Sequence, residues 1–115
     1  MALLKKAIVK IKGTQIELGG EQFVMPPLSL LHLEQFQSKF KSFDGDPTNP
    51  ENISFFIDSV HAAMKRNYPE CTREDIGEAL GLESMNEVMS ALVSVSGLTH
   101  RAKEDSEVGE AQAVN

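Results

Sequence analysis

The sequence has no tryptophan, a single cysteine, a single tyrosine and few basic residues for its acids. Each shortage excludes something. One thiol, Cys71, cannot form an internal disulfide and fits a reducing compartment. Eleven Lys and Arg against seventeen Asp and Glu give a net charge of −6, which argues against nucleic acid or an anionic membrane as main partner. No apolar run approaches the roughly 20 residues that span a bilayer. Ala2-Leu3-Leu4 is too short for a signal-peptide core, and its lysines follow it instead of preceding it. His32, His61 and His100 lie far apart, without the spacing or cysteines of a zinc site. Asp44-Gly45-Asp46 hints at a calcium loop, but the sixth position is not glycine and Phe55 stands where the closing glutamate belongs. Gly19-Gly20 lacks the rest of a phosphate loop. Cys71 follows one helix end and precedes a helix start, a place that can lower a thiol pKa, yet it has no recognisable histidine partner. No catalytic residue, metal site or cofactor is expected, and the chain reads as no enzyme.

What remains is a domain's worth of core. The 115 residues are 41% apolar and 24% charged, ordinary for one globular domain. The strand signals fall within residues 5–25. Ala7–Ile11 and Gln15–Leu18 alternate or are β-branched, Gly19-Gly20 is a turn, and Gln22–Met25 follows. The pattern predicts a small antiparallel β-meander with Ile16, Leu18, Phe23 and Met25 on its buried face. Such a sheet needs helices packed against it.

Pro26-Pro27 ends the sheet, and Ser29 is a candidate N-cap. Leu33, Phe36, Phe40 and Phe43 recur at helical steps, with Leu31 on the other side of the wheel. Asn49-Pro50 opens a second helix whose expected core face is Ile53, Phe56, Ile57, Val60, Ala63 and Met64, with Phe55 away from it. Lys65-Arg66-Asn67-Tyr68-Pro69 reads as its stop. Asn67 tolerates a left-handed turn, Tyr68 is expected to fold back near Ala63, and Pro69 cannot continue the helix. Thr72 with Asp75, and Ser84 with Glu87, resemble capping boxes for two more helices, ended by Gly81 and Gly97. Met85, Val88, Met89, Leu92 and Val95 line the last, and Ala91 and Val93 widen its apolar arc. The fold class is α+β: one domain over 1–98, with strands in 5–25 and about four helices in 29–98. An acidic tail at 99–115, expected to be disordered, follows.

The run from Thr72 to Val93 also has a helix-turn-helix outline. Between Glu70 and His100 one base, Arg73, faces six acids, so the sign is wrong for phosphates. A small regulatory or DNA-associated protein is therefore the alternative reading.

Three stretches, taken in order, resemble a known family. They are Phe23-Val24-Met25-Pro26-Pro27-Leu28, then Ala62-Ala63-Met64-Lys65-Arg66-Asn67-Tyr68-Pro69-Glu70, then Met85-Asn86-Glu87-Val88 through Val93-Ser94-Val95-Ser96-Gly97. The order is similar to that of the small tail assembly chaperones of long-tailed bacteriophages and prophages. Pro26, Pro27, Arg66, Asn67, Tyr68 and Pro69 carry the likeness. The resemblance implies a non-catalytic protein of the host bacterial cytoplasm that binds the tape-measure protein and promotes assembly of the tail-tube protein around it. A structural tail subunit is a further alternative. Such a holder needs apolar ground that accepts helical segments. Leu31, Phe55, Met89 and Val93, apolar but at or beyond the edges of their core faces, are the expected client surface, unless other helices or self-association bury them.

Overall fold

A computed structural model describes residues 11–98. Two strands, β1 (Thr14–Leu18) and β2 (Glu21–Met25), form an antiparallel hairpin. Four helices follow: α1 (Leu30–Ser42), α2 (Pro50–Met64), α3 (Arg73–Ala79) and α4 (Met85–Val95), the last entered through a 3-10 turn at Leu82–Ser84. The architecture is the expected α+β fold, and the described sheet is this two-stranded hairpin. The expected strand at Ala7–Ile11, apart from Ile11, and the tail at 99–115 lie outside the described residues.

The hairpin forms because Gly19 and Gly20 both adopt positive φ, 59° and 87°, as a two-residue turn between right-twisted strands requires. Its register pairs Ile16 with Phe23 and Leu18 with Glu21. Ile16, Leu18, Phe23 and Met25 are all buried, as the alternation predicts. Gly13 leads into β1 so close to β2 that a Cβ would stand 2.0 Å from the Met25 carbonyl oxygen, so no other residue fits.

Local capping signals act largely as read. Ser29 Oγ accepts from His32 N–H, and Asn49 Oδ1 accepts from Glu51 N–H. Thr72 and Asp75 exchange both bonds of a capping box, each at 3.0 Å. Ser84 makes no side-chain cap, because the 3-10 turn runs straight into α4 and gives Ser84 helical dihedrals. Gly97 ends α4 at φ 85°.

The stop after α2 does more than stop. Asn67 is buried, and its side chain reaches the sheet. Its Oδ1 accepts from Ile11 N–H at 3.0 Å, and its Nδ2 donates to the Ile11 carbonyl at 2.8 Å and to the Val24 carbonyl at 3.5 Å. Tyr68 is buried in the same core cluster as Ala63 and also reaches the sheet. Its ring meets Phe23 edge to face at 5.4 Å, and its hydroxyl accepts from Val24 N–H at 3.0 Å. Arg66 donates to the Pro27 carbonyl at 2.6 Å. The two signature stretches thus meet each other. The N–H of the same peptide group, that of Leu28, donates to Ser96 Oγ, tying the post-sheet segment to the end of α4.

Removing the Asn67 amide leaves both backbone groups of Ile11 without their partners, at a cost of about 2–4 kcal/mol. Urea denaturation should show that loss for Asn67→Ala, and about 1 kcal/mol for Tyr68→Phe. Equal small losses for both would mean that water replaces the clasp.

Candidate partner-binding surface

The residues expected to form a client surface do not form one. Phe55 is 4% exposed and Met89 3% exposed, so both belong to the core. Leu31 is 59% exposed, beside Leu30 at 82%. Val93 is half-buried and packs against the core.

Phe55 is buried because α2 is covered on two sides. The rings of Phe36, Phe40 and Phe43 stand edge-on around it at 5.5, 4.9 and 6.0 Å. Through Phe55 the aromatic stripe of α1 docks onto α2, although no residue of α1 is itself fully buried. The buried face of α2 is Asn52, Phe55, Phe56, Ser59, Val60, Ala63 and Met64. Its two polar members are satisfied: Asn52 Nδ2 donates to Asp44 Oδ1 at 2.6 Å, and Ser59 donates to the Phe56 carbonyl. The Asp46 N–H, first, and then the Asn52 amide hold the Asp44 carboxyl below the usual carboxylate range. Asp46 accepts from Thr48 N–H and Oγ1, so this loop is built by its own side chains.

Ile53 and Ile57, expected in the core, stand half-buried at the edge of that face. They open an apolar groove of about 120 Å³ between α2 and α3. Phe56, Gly77, Leu80, Gly81, Leu82 and Met85 complete its lining. Gly77 keeps the wall low, since a Cβ there would touch Ile57 at 3.5 Å. Leu82, on the 3-10 turn, is 60% exposed at the rim. Sequence periodicity pointed to none of this, because Leu82 sits in no helical stripe. Arg73 pairs with Asp58 and donates to Ser54, fastening α3 to α2 near the groove.

A second, wider depression of about 570 Å³ runs between the hairpin and the α3–α4 side. Gln15, Glu17 and Gln22 line one wall, and Glu87, Val88 and Ala91 the other. Among the described residues, no three His, Cys, Asp or Glu side chains gather to hold a metal ion, and no helix is long and apolar enough to cross a membrane.

Cys71 is buried, and its carbonyl accepts from His61 Nε2–H at 3.0 Å. Its place between helices does not activate it. Burial first, and the Asp75 charge second, push the thiol up from an ordinary 9.0 to about 11, against a smaller pull from Lys65. Compared with family models, curated proteins and solved structures, the chain finds no match.

Two outcomes follow from this geometry. Phe55→Ala should cost about 3–5 kcal/mol in chemical denaturation, since three rings lose their common partner. A change within 0.5 kcal/mol, the scatter usual for surface substitutions, would return Phe55 to the surface. For Cys71, the folded thiol holds its proton more tightly than the unfolded one. Its contribution is therefore full below pH 9 and is lost as pH rises from 9.0 toward about 11. Urea titrations across that range should fall more steeply for the native chain than for Cys71→Ala, and parallel curves would refute the shift.

Proposed function

We propose that this protein is a non-catalytic assembly chaperone of a phage tail, holding helical, partly apolar segments of a tape-measure protein in the host bacterial cytoplasm until tail-tube protein assembles around them. The family resemblance supplies the client. The observation that carries the reading is the groove between α2 and α3, apolar throughout its side-chain lining and rimmed by the exposed Leu82. A groove of this size takes one or two aliphatic side chains from an amphipathic helix, which is how such helices are commonly bound. Met85 at its base can repack around different side chains, as a holder of a long, varied client requires. Leu30 and Leu31 offer a second apolar spot at the start of α1. The acids of α3 and α4 disfavour the DNA-associated alternative, because they would meet phosphates with carboxylates.

Burying the exposed part of Leu82 contributes about 1–2 kcal/mol to client binding. Leu82→Glu should then weaken binding about tenfold or more and reduce the soluble tape-measure protein recovered on co-expression, with the circular dichroism unchanged. A tape-measure protein equally soluble with the native chain, with Leu82→Glu and with no chaperone would overturn the reading. Finding the chain as a stoichiometric part of purified virions would make it a tail subunit instead.

A further inference from the structure

The groove between α2 and α3 has a charge as well as a shape. Leu82 at its rim is followed by Glu83, whose carboxylate lies back over Gly81, a residue of the lining. A Cβ on Gly81 would stand 2.8 and 3.0 Å from its two oxygens, so glycine leaves the room that the carboxylate takes. Glu83 is exposed, and its carboxylate has no ion-pair partner among the described residues. The two walls, α2 and α3, carry no lysine and a single arginine, Arg73. Asp58 already pairs with it. Glu74 and Glu78 stand exposed on α3, either side of Gly77 in sequence. The apolar floor is thus bordered by unpaired negative charge.

We infer that the helix this groove accepts is a basic one: an aliphatic anchor enters beside Leu82, and a Lys or Arg three or four residues along pairs with Glu83. The inference rests on the groove being a helix-binding site and adds which helices it selects. Residues three and four apart stand about 5–6 Å from each other on one helix face. Leu82 and Glu83 adjoin on the 3-10 turn, so a single helix face can meet both. A Lys or Arg stem also lays methylene groups along apolar ground, so a basic flank covers Leu82 while its charge reaches the carboxylate. An acidic residue at that place would meet Glu83 as a like charge. Selection is therefore divided. Apolar burial holds any aliphatic anchor, and the bordering carboxylates reject acidic helices. A second copy offering its own α3 would bring that wrong sign, since the exposed charges there include Glu74 and Glu78.

The test uses the full chain and three synthetic amphipathic helices of about 18 residues. They share one leucine stripe and differ three and four residues from the anchor, where they hold Lys, Gln or Glu. Calorimetry at low salt should rank them Lys, Gln, Glu, with about tenfold or more between first and last. The spread should shrink in about 0.5 M salt. Methyl signals of Ile53, Ile57 and Leu82 should move on binding, which puts the helix in the groove. Glu83→Gln should weaken the Lys peptide about two- to fivefold and leave the Gln peptide unchanged. Glu83→Lys should narrow the ranking further, and both variants should keep the native circular dichroism because Glu83 is exposed. Equal affinity for the three peptides with the methyl signals moving, or a ranking unaltered by Glu83→Lys, overturns the inference and leaves the groove a helix site. Methyl signals that no peptide moves overturn the groove reading along with it. Methyl signals that move on dilution of the chain alone make a second copy the occupant and overturn the inference as well.

Discussion

One buried amide holds the two halves of this fold together. A two-stranded hairpin is marginal alone, and here its far edge would expose the Val24 backbone beside an apolar core. The Asn67 side chain carries a donor and an acceptor in the same relation as a peptide group. It therefore serves Ile11 as a neighbouring strand would, meeting both N–H and C=O, while reaching Val24 with the same nitrogen. Tyr68 fills the adjacent place, its hydroxyl on Val24 and its ring on Phe23. The turn that ends α2 is thus also what closes the sheet. Arg66 on Pro27 extends the same seam to the segment leaving β2. Helix stop and sheet edge depend on each other, which is a reason for an Asn-Tyr pair where a glycine would end the helix as well.

Local chemistry in this chain was legible from residue order. The Gly19-Gly20 turn, the caps at Ser29, Asn49 and Thr72, and the alternation of Ile16, Leu18, Phe23 and Met25 each need only a few neighbours to act. The faces of α2 were less legible because its centre is partly polar. Asn52 and Ser59 sit in the middle of the buried stripe, and a wheel weighted by hydrophobicity turns toward Ile53 and Ile57 instead. That rotation placed Phe55 outside the core and the groove inside it. Asn52 is buried for a reason three-dimensional contact alone reveals: Asp44, eight residues earlier, returns to receive its amide. Tyr68 shows the same limit, since its partner lies 44 residues away in sequence.

The surface was the least legible part, because it is what the core leaves over. Leu82 belongs to no periodic stripe, and the turn that carries it also denied Ser84 its cap. Both features arise from the same short connection between α3 and α4. Met89 failed as a surface residue for the opposite reason. An arc as wide as that of α4 is covered by more than one neighbour, with α2 and the hairpin both resting on it.

A domain of this size buries a smaller share of its surface than a larger one, and the shortfall has to appear somewhere. Here it appears in two chemically different places. Between α2 and α3 the excess is apolar side chain, because α3 is only seven residues long and cannot cover Ile53 and Ile57. Along β1, among the described residues, it is backbone, because a hairpin has two edges and the Asn67–Tyr68 pair closes only one. Water satisfies peptide groups well and isoleucine poorly, so the apolar groove is the costlier of the two to leave exposed. The same economy that lets four short helices and one hairpin fold as a unit leaves both faces uncovered by the described residues.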